Sequence, residues 1–130
     1  MSRILAVDPG DVRIGTALSD PSGTIARPLE TIIHSSRQQD AEKILELAME
    51  HGVETIVVGV PFDDEGQIGP QARKAMRLVD VLRVSGVIPV TTWDESGSTQ
   101  AALGGRRSDS NLDARAAAVI LQEYLDAQST

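Results

Sequence analysis

The chain of 130 residues contains no cysteine, which excludes a disulfide framework, a thiolate zinc site and a cysteine nucleophile. Aromatic residues are almost as scarce: one Trp, one Tyr and one Phe cannot make base stacking a main binding device. No apolar run is long enough for a membrane-spanning helix or the core of a signal peptide. We therefore expect a cytoplasmic protein with no membrane partner, folded as one domain over residues 1–126 with a frayed tail at 127–130.

Positive charge is also in short supply, because nineteen acidic residues outnumber twelve basic ones and give a formal net charge of −7. A field of this sign disfavours non-specific adhesion to nucleic acid or to anionic membranes. A polyanionic partner would therefore need a local basic patch or a bound metal ion. Ten of the twelve basic residues are arginine, whose planar guanidinium suits forked contacts to phosphate.

Hydrophobic periodicity predicts an α/β domain with the element order β-β-β-α-β-α-β-α. The expected strands cover residues 4–7, 14–19, 24–33, 55–60 and 87–92. The first three are separated by short turns and form an antiparallel meander, whereas the continuously apolar run 55–60 is typical of a central parallel strand. A right-handed crossover then places the first strand in the middle of a five-stranded mixed sheet, between strands 14–19 and 55–60.

Helix boundaries are indicated by capping residues. The first helix is expected to begin after Ser35 or Ser36 and to end near Gly52, with Met49 on its apolar stripe, and the second to begin at Pro70 and to end at Gly86. A short helical piece is expected at 98–103. The last helix is expected to begin near Ser110 or Asn111 and to run to about residue 126, with an apolar stripe facing the sheet.

This topology brings carboxylates from three elements to one edge of the sheet. Asp8 ends the first strand, Asp94 and Glu95 end the last strand, and ligands of open α/β sheets bind outside the carboxyl ends of the strands. Asp113 lies in the first turn of the last helix and shares the helical face of the residues that pack on the sheet. Because successive strand residues point to opposite faces, only one of Asp94 and Glu95 can join Asp8.

Each acid has an ordinary interpretation when it is taken singly. Asp8 suits a turn, the Asp94–Glu95 pair suits a strand end, and Asp113 suits the positive end of a helix dipole. Taken together, they would repel and raise one another's pKa unless a cation joined them, and carboxylate oxygens suit Mg²⁺ or Mn²⁺. Such a metal site aligns water against a phosphodiester and stabilises the leaving oxygen. The joint arrangement therefore predicts a metal-dependent phosphodiesterase.

Four motifs, found in register over nearly the whole chain, resemble those of the YqgF family of RNase H-like proteins. They are DPGDVRIG at 8–15 with SD at 19–20, VVGVP at 57–61 with GPQA at 69–72, TWDE at 92–95, and LDARAAAVIL at 112–121. Members of this family are described as Holliday-junction-resolvase-like proteins and as nucleases of the pre-16S rRNA 5′ end. The resemblance implies an RNase H-like fold and a nuclease that uses Mg²⁺ or Mn²⁺ and acts on RNA or on branched or single-stranded DNA.

By this resemblance Asp8, Glu95 and Asp113 take the metal-binding and catalytic positions, and it is the resemblance that chooses Glu95 over Asp94. Residues near these acids are candidates for binding nucleic acid: Gly10, Arg13, Ser98, Thr99, Arg106 and Arg107. The chain departs from the family pattern in two places, with Val12 where the family has Lys and Ser96–Gly97 where it has Arg–Leu. Two cations that could grip phosphate are therefore missing.

Two other functions stay open on the sequence alone. The hairpin 8–15 also resembles the phosphate-binding hairpin of actin-like ATPases, because Gly10 and Gly15 would let backbone N–H groups approach a nucleotide phosphate. The loss of the Arg–Leu pair is compatible with a non-catalytic factor in RNA maturation. The oligomeric state is not fixed by the sequence either, and a homodimer stays open.

Overall fold

The computed structural model describes residues 3–62, 68–95 and 110–128. Its elements follow the predicted order and are β1 (Arg3–Asp8), β2 (Arg13–Ser19), β3 (Ala26–Ile33), α1 (Arg37–Glu50), β4 (Val53–Val60), α2 (Pro70–Ser85), β5 (Val90–Asp94) and α3 (Ser110–Gln128). The helical piece expected at 98–103 lies outside the described residues. Within the described ranges, no helix is long and apolar enough to cross a bilayer.

The five strands form one mixed sheet in the order β3-β2-β1-β4-β5. β1 pairs with β2 in antiparallel orientation and with β4 in parallel orientation, and β5 continues the parallel half of the sheet. The prediction of a central first strand is therefore confirmed. The parallel strands β1, β4 and β5 all end at the same edge of the sheet.

Helices cover both faces of the sheet. On one face Leu5 and Val7 of β1 belong to the core built with Ile44 of α1 and Val79 of α2. On the other face Ala6 packs against Leu121 and the neighbouring apolar residues of α3. Since side chains alternate along a strand, Asp8 faces the same side as Ala6, towards α3.

Two capping predictions are confirmed. Ser36 precedes α1, and its hydroxyl accepts a hydrogen bond from the backbone N–H of Gln39 at 3.1 Å. Pro70 opens α2, and Gly86 follows its last residue in the left-handed conformation, with φ of 67°. The last helix ends at Gln128, two residues beyond the predicted end.

Three local predictions were wrong. β3 begins at Ala26 rather than at residue 24, because the Asp20 carboxylate accepts the N–H groups of Thr24 and Ile25 and keeps both in the preceding turn. β5 begins at Val90 rather than at residue 87, since Pro89 has no N–H to offer the ladder. On α1, Met49 was predicted to lie on the buried stripe but is 65% exposed, and Leu47 is buried instead.

Candidate active site

The side chains of Asp8 and Glu95 meet at the edge where the parallel strands end. Glu95 follows β5 directly, and its N–H donates a hydrogen bond to the carbonyl of Val60 at the end of β4, at 3.1 Å. Two residues earlier, Trp93 makes an edge-to-face contact with Tyr124 of α3. The alternation along the strand therefore turns Glu95 towards α3 as well, where its carboxyl group forms a hydrogen bond with that of Asp8.

Gly59 provides the space in which the Glu95 carboxyl group lies. A Cβ atom at this position would stand 3.0 Å from Cδ of Glu95 and 2.9 Å from Cδ1 of Ile120 in α3. The carboxyl group is thus enclosed between the backbone of β4 and helix α3. Asp94 has the opposite environment, exposed at the end of β5.

Burial gives the Glu95 carboxyl group unusual acid–base properties. Its residue is only 8% exposed, and its Oε2 atom is buried with no hydrogen-bond partner. Desolvation, followed by the charge and hydrogen bond of Asp8, raises the pKa of Glu95 from 4.5 to about 9. Two carboxyl groups in contact are stable only when a proton or another cation lies with them.

Asp113 reaches the same region through the backbone of α3. A Cβ atom on Gly15 would come within 2.0 Å of the Asp113 carbonyl oxygen, so the start of α3 packs directly on this glycine. Gly15 is the partner of Asp8 in the β1–β2 ladder, which puts Asp113 one strand away from Asp8. The Asp113 carboxylate accepts a hydrogen bond from Nε of Arg13 at 3.3 Å.

The carboxylate oxygens of Asp8, Glu95 and Asp113 are suitable donors for a hard divalent cation, although the three side chains do not converge on one point. Over the described ranges, no group of three or more His, Asp or Glu side chains lies close enough to hold a metal ion. The structure joins Asp8 to Glu95 and pairs Asp113 with Arg13. The buried Oε2 of Glu95 has no hydrogen-bond partner, and a carboxylate oxygen is the type of donor that Mg²⁺ and Mn²⁺ bind.

The other predicted site residues divide into two groups. Gly10 is exposed in the turn between β1 and β2, and Arg13 begins β2 beside Asp113. The remaining four lie outside the described residues: Ser98, Thr99, Arg106 and Arg107.

One acid close to the site was not predicted from the sequence. Glu123 of α3 accepts a hydrogen bond from the indole N–H of Trp93 at 3.4 Å, and its charge contributes to the raised pKa of Glu95. Glu123 lies three residues after Ile120, on the helix face that packs against the sheet, and this spacing could have indicated that it lies near the site.

Solved structures that share this sheet and helix topology define the class of the fold. The structure titled "T. thermophilus RuvC in complex with Holliday junction substrate" matches with a TM-score of 0.63 and 17% identity, over 99% of this chain and 96% of that one. The fowlpox virus Holliday junction resolvase matches with a TM-score of 0.56 and 11% identity, over 97% and 99% of the two chains. The chain therefore has the RNase H-like α/β fold of these nucleases.

Sequence comparison places the chain in one family of that class. The family model described as "RuvX: Holliday junction resolvase" matches residues 2–127. A relative from Desulforudis audaxviator, named "Putative pre-16S rRNA nuclease", is 40% identical over 98% of this chain and 96% of its own length. A relative of the same name from Thermoanaerobacter pseudethanolicus is 41% identical over 97% of each chain. The chain belongs to the RuvX (YqgF) family, as its motifs predicted.

Proposed function

We propose that this protein is a divalent-metal-dependent nuclease that hydrolyses phosphodiester bonds of precursor 16S rRNA at its 5′ end, in the cytoplasm. The observation that carries the proposal is the buried contact between the carboxyl groups of Glu95 and Asp8. Two carboxyl groups in contact destabilise the fold unless a proton or another cation lies with them, and functional sites commonly retain such a cost. The names of the curated relatives support the RNA substrate, and the RuvC complex supports binding of nucleic acid in general.

In this proposal Asp8, Glu95 and Asp113 are the catalytic carboxylates and hold Mg²⁺ or Mn²⁺. A bound metal ion would supply Lewis-acid chemistry, which activates water and stabilises charge on a leaving oxygen. Asp113 would complete the ligand set, and the Arg13 guanidinium, whose Nε donates a hydrogen bond to the Asp113 carboxylate, would contact a phosphate of the substrate beside it. The exposed turn at Gly10 lets the nucleic-acid backbone approach Asp8.

We retain four residues outside the described ranges as proposed contacts to the substrate. Ser98 and Thr99 follow the Asp94–Glu95 pair closely in the chain, and Arg106 and Arg107 precede Asp113. Hydroxyl and guanidinium groups are common ligands of phosphate oxygens, and contacts of this type position a strand without selecting a base.

A cleavage panel tests the proposed function. Three substrates are compared in Mg²⁺, Mn²⁺ and EDTA: an RNA spanning the 5′ end of 16S rRNA in its precursor, a four-way DNA junction, and a single-stranded DNA. We expect metal-dependent cleavage of the RNA, with a loss of at least about 100-fold for Asp8→Asn. Asp94→Asn, which removes an exposed acid, is the matched control and should cleave like the wild type.

The other outcomes of the panel identify different functions. Cleavage of the DNA junction alone would assign a resolvase activity instead of RNA processing. RNA binding without cleavage in either metal would indicate a non-catalytic maturation factor. Undiminished cleavage by Asp8→Asn would contradict the proposal, because the activity would then come from a contaminating nuclease or from a site that does not use Asp8.

A further inference from the structure

A second candidate site lies on the face of the sheet opposite to the carboxylates. A cavity of about 420 Å³ opens between the turn after β1, the start of α1 and the first half of α2. Basic side chains line it from both helices: Arg37 on α1, and Lys74 and Arg77 on α2. These cations are gathered in a chain whose net charge is −7, so their concentration here is not a general property of the surface.

The acidic residues in the cavity wall already have partners within the protein. Asp11 pairs with Lys74, whose Nζ lies 2.9 Å from Oδ1. Asp40, which is 2% exposed, binds the imidazole of His34 and accepts the N–H of Ser35 at 3.1 Å. These two acids therefore pair with Lys74 and with Nδ1 of the His34 ring.

Arg37 and Arg77 are left without such partners. Both side chains are exposed, and the ion pairs found in the described part of the chain do not include either of them. Two guanidinium groups that border one cavity can bind one anion from two sides. Carboxylate and phosphate both match the planar fork of donors on arginine, and phosphate is the one that the proposed nucleic-acid substrate carries.

The position of the cavity relates it to the carboxylate site. Pro9 and Gly10 follow Asp8 directly in the chain and also line the cavity. The turn that they form is thus the partition between the two sites. A nucleic-acid strand that crosses this turn would place one phosphate at Asp8 and Glu95 and a neighbouring phosphate over the cavity.

We propose that this cavity binds a phosphate group of the nucleic acid, on the strand that carries the cleaved bond. The inference rests on the proposed nuclease function and adds a positioning site to it. The phosphate has two sources with the same chemistry, an internal phosphodiester or the 5′-terminal monophosphate of an RNA. Either contact would compensate for the cations that the chain lacks at Val12 and at Ser96–Gly97.

Binding of a short fluorescent RNA, measured by anisotropy in EDTA over a range of salt concentrations, tests the cavity without cleavage. The cavity variant is Arg37→Gln with Arg77→Gln. The matched control is Arg27→Gln with Arg73→Gln, which removes two exposed arginines that do not line the cavity. We expect the cavity variant to bind roughly 10-fold more weakly, with a log–log salt slope reduced by about 1, and the control to stay within about 2-fold of the wild type.

The same RNA with a 5′-phosphate or a 5′-hydroxyl separates the two sources. A loss confined to the 5′-phosphorylated RNA assigns the cavity to the terminal phosphate, whereas equal losses assign it to an internal phosphodiester. Unchanged affinity in the cavity variant, an equal loss in the control, or a wild type that binds neither RNA would overturn the proposal. Equal melting temperatures of the two variants exclude a folding defect.

The two proposals fail separately because this assay contains no metal and measures no cleavage. If the wild type cleaves RNA and the cavity variant binds RNA as tightly as the wild type does, the nuclease function stands and the phosphate site in the cavity is rejected. If the wild type cleaves none of the substrates but needs Arg37 and Arg77 to bind RNA, the phosphate site in the cavity stands and the nuclease function is rejected.

Discussion

Glu95 lies buried with its carboxyl group against that of Asp8, and the protonation of this pair controls the stability of the metal-free protein. The folded pKa of about 9 lies above the ordinary value of 4.5, because burial and Asp8 disfavour the charged form. A carboxyl group with a raised pKa binds its proton more tightly in the folded state. Its contribution to stability is complete below pH 4.5 and is lost as pH rises towards 9.

We therefore predict that the metal-free protein melts at progressively lower temperature between about pH 5 and pH 9. Glu95→Gln should remove most of this slope, because the amide does not titrate. Differential scanning calorimetry in EDTA measures both, with Asp94→Asn as the control that keeps most of the slope, because the Asp94 charge raises the pKa of Glu95 less than burial and Asp8 do. Parallel slopes for wild type and Glu95→Gln would show that Glu95 titrates normally.

Asp8→Asn is predicted to separate function from stability. The substitution removes one of two carboxyl groups in contact, so the metal-free protein should be as stable as the wild type or more stable, by on the order of 1 kcal/mol. Cleavage should be lost, and Mn²⁺ should no longer raise the melting temperature. If Asp8 serves only as a turn former, the variant will instead melt earlier and keep its activity.

Individual contacts at the site were only partly predictable from the sequence. The strand position and the alternation placed Asp8 and one member of the Asp94–Glu95 pair on one face, and the structure joins Glu95 to Asp8. The ion pair of Arg13 with Asp113 was not predicted, because it depends on where the start of α3 lies across β2. Glu123 was missed for the same reason, since its neighbour Trp93 comes from another element.

At the scale of secondary-structure elements, the approach of α3 to the sheet positions Asp113. The contact is made by Gly15, which has no side chain to hold the helix away. Any larger residue there would push the start of α3 outward and carry Asp113 with it.

Gly15→Ala should therefore destabilise the protein by about 2–3 kcal/mol and weaken metal binding, because the new Cβ atom would lie 2.0 Å from the Asp113 carbonyl oxygen. Gly69→Ala is the matched control, since a Cβ atom there meets nothing within 4 Å. Urea unfolding and the Mn²⁺ dependence of melting measure the two effects. Equal stability of the two variants would contradict the close packing of α3 on β2.

Element boundaries were predictable where one residue determines them. Ser36 and Gly86 cap helices through their own hydrogen bonding and backbone conformation, and both were identified from the sequence. The start of β3 depends instead on the Asp20 carboxylate reaching four and five residues ahead, to Thr24 and Ile25. A propensity pattern does not contain that contact.

At the scale of the whole molecule, the sheet order was predictable because few topologies satisfy both a meander and a right-handed crossover. That order puts the ends of β1, β4 and β5 at one edge, and so it brings Asp8 to Glu95 across 87 positions of sequence. The cavity at Arg37 and Arg77 was not predicted, since those residues come from two helices whose packing the sequence pattern does not specify.

We propose that the buried Asp8–Glu95 pair is the metal-binding centre of a nuclease. The most direct test is the rate at which wild type, Glu95→Gln and Asp94→Asn cleave the precursor 16S rRNA substrate in Mn²⁺. We predict that Glu95→Gln, although folded, loses at least about 100-fold in rate, and that Asp94→Asn keeps the wild-type rate. Full activity of Glu95→Gln together with loss of activity in Asp94→Asn would contradict the claim.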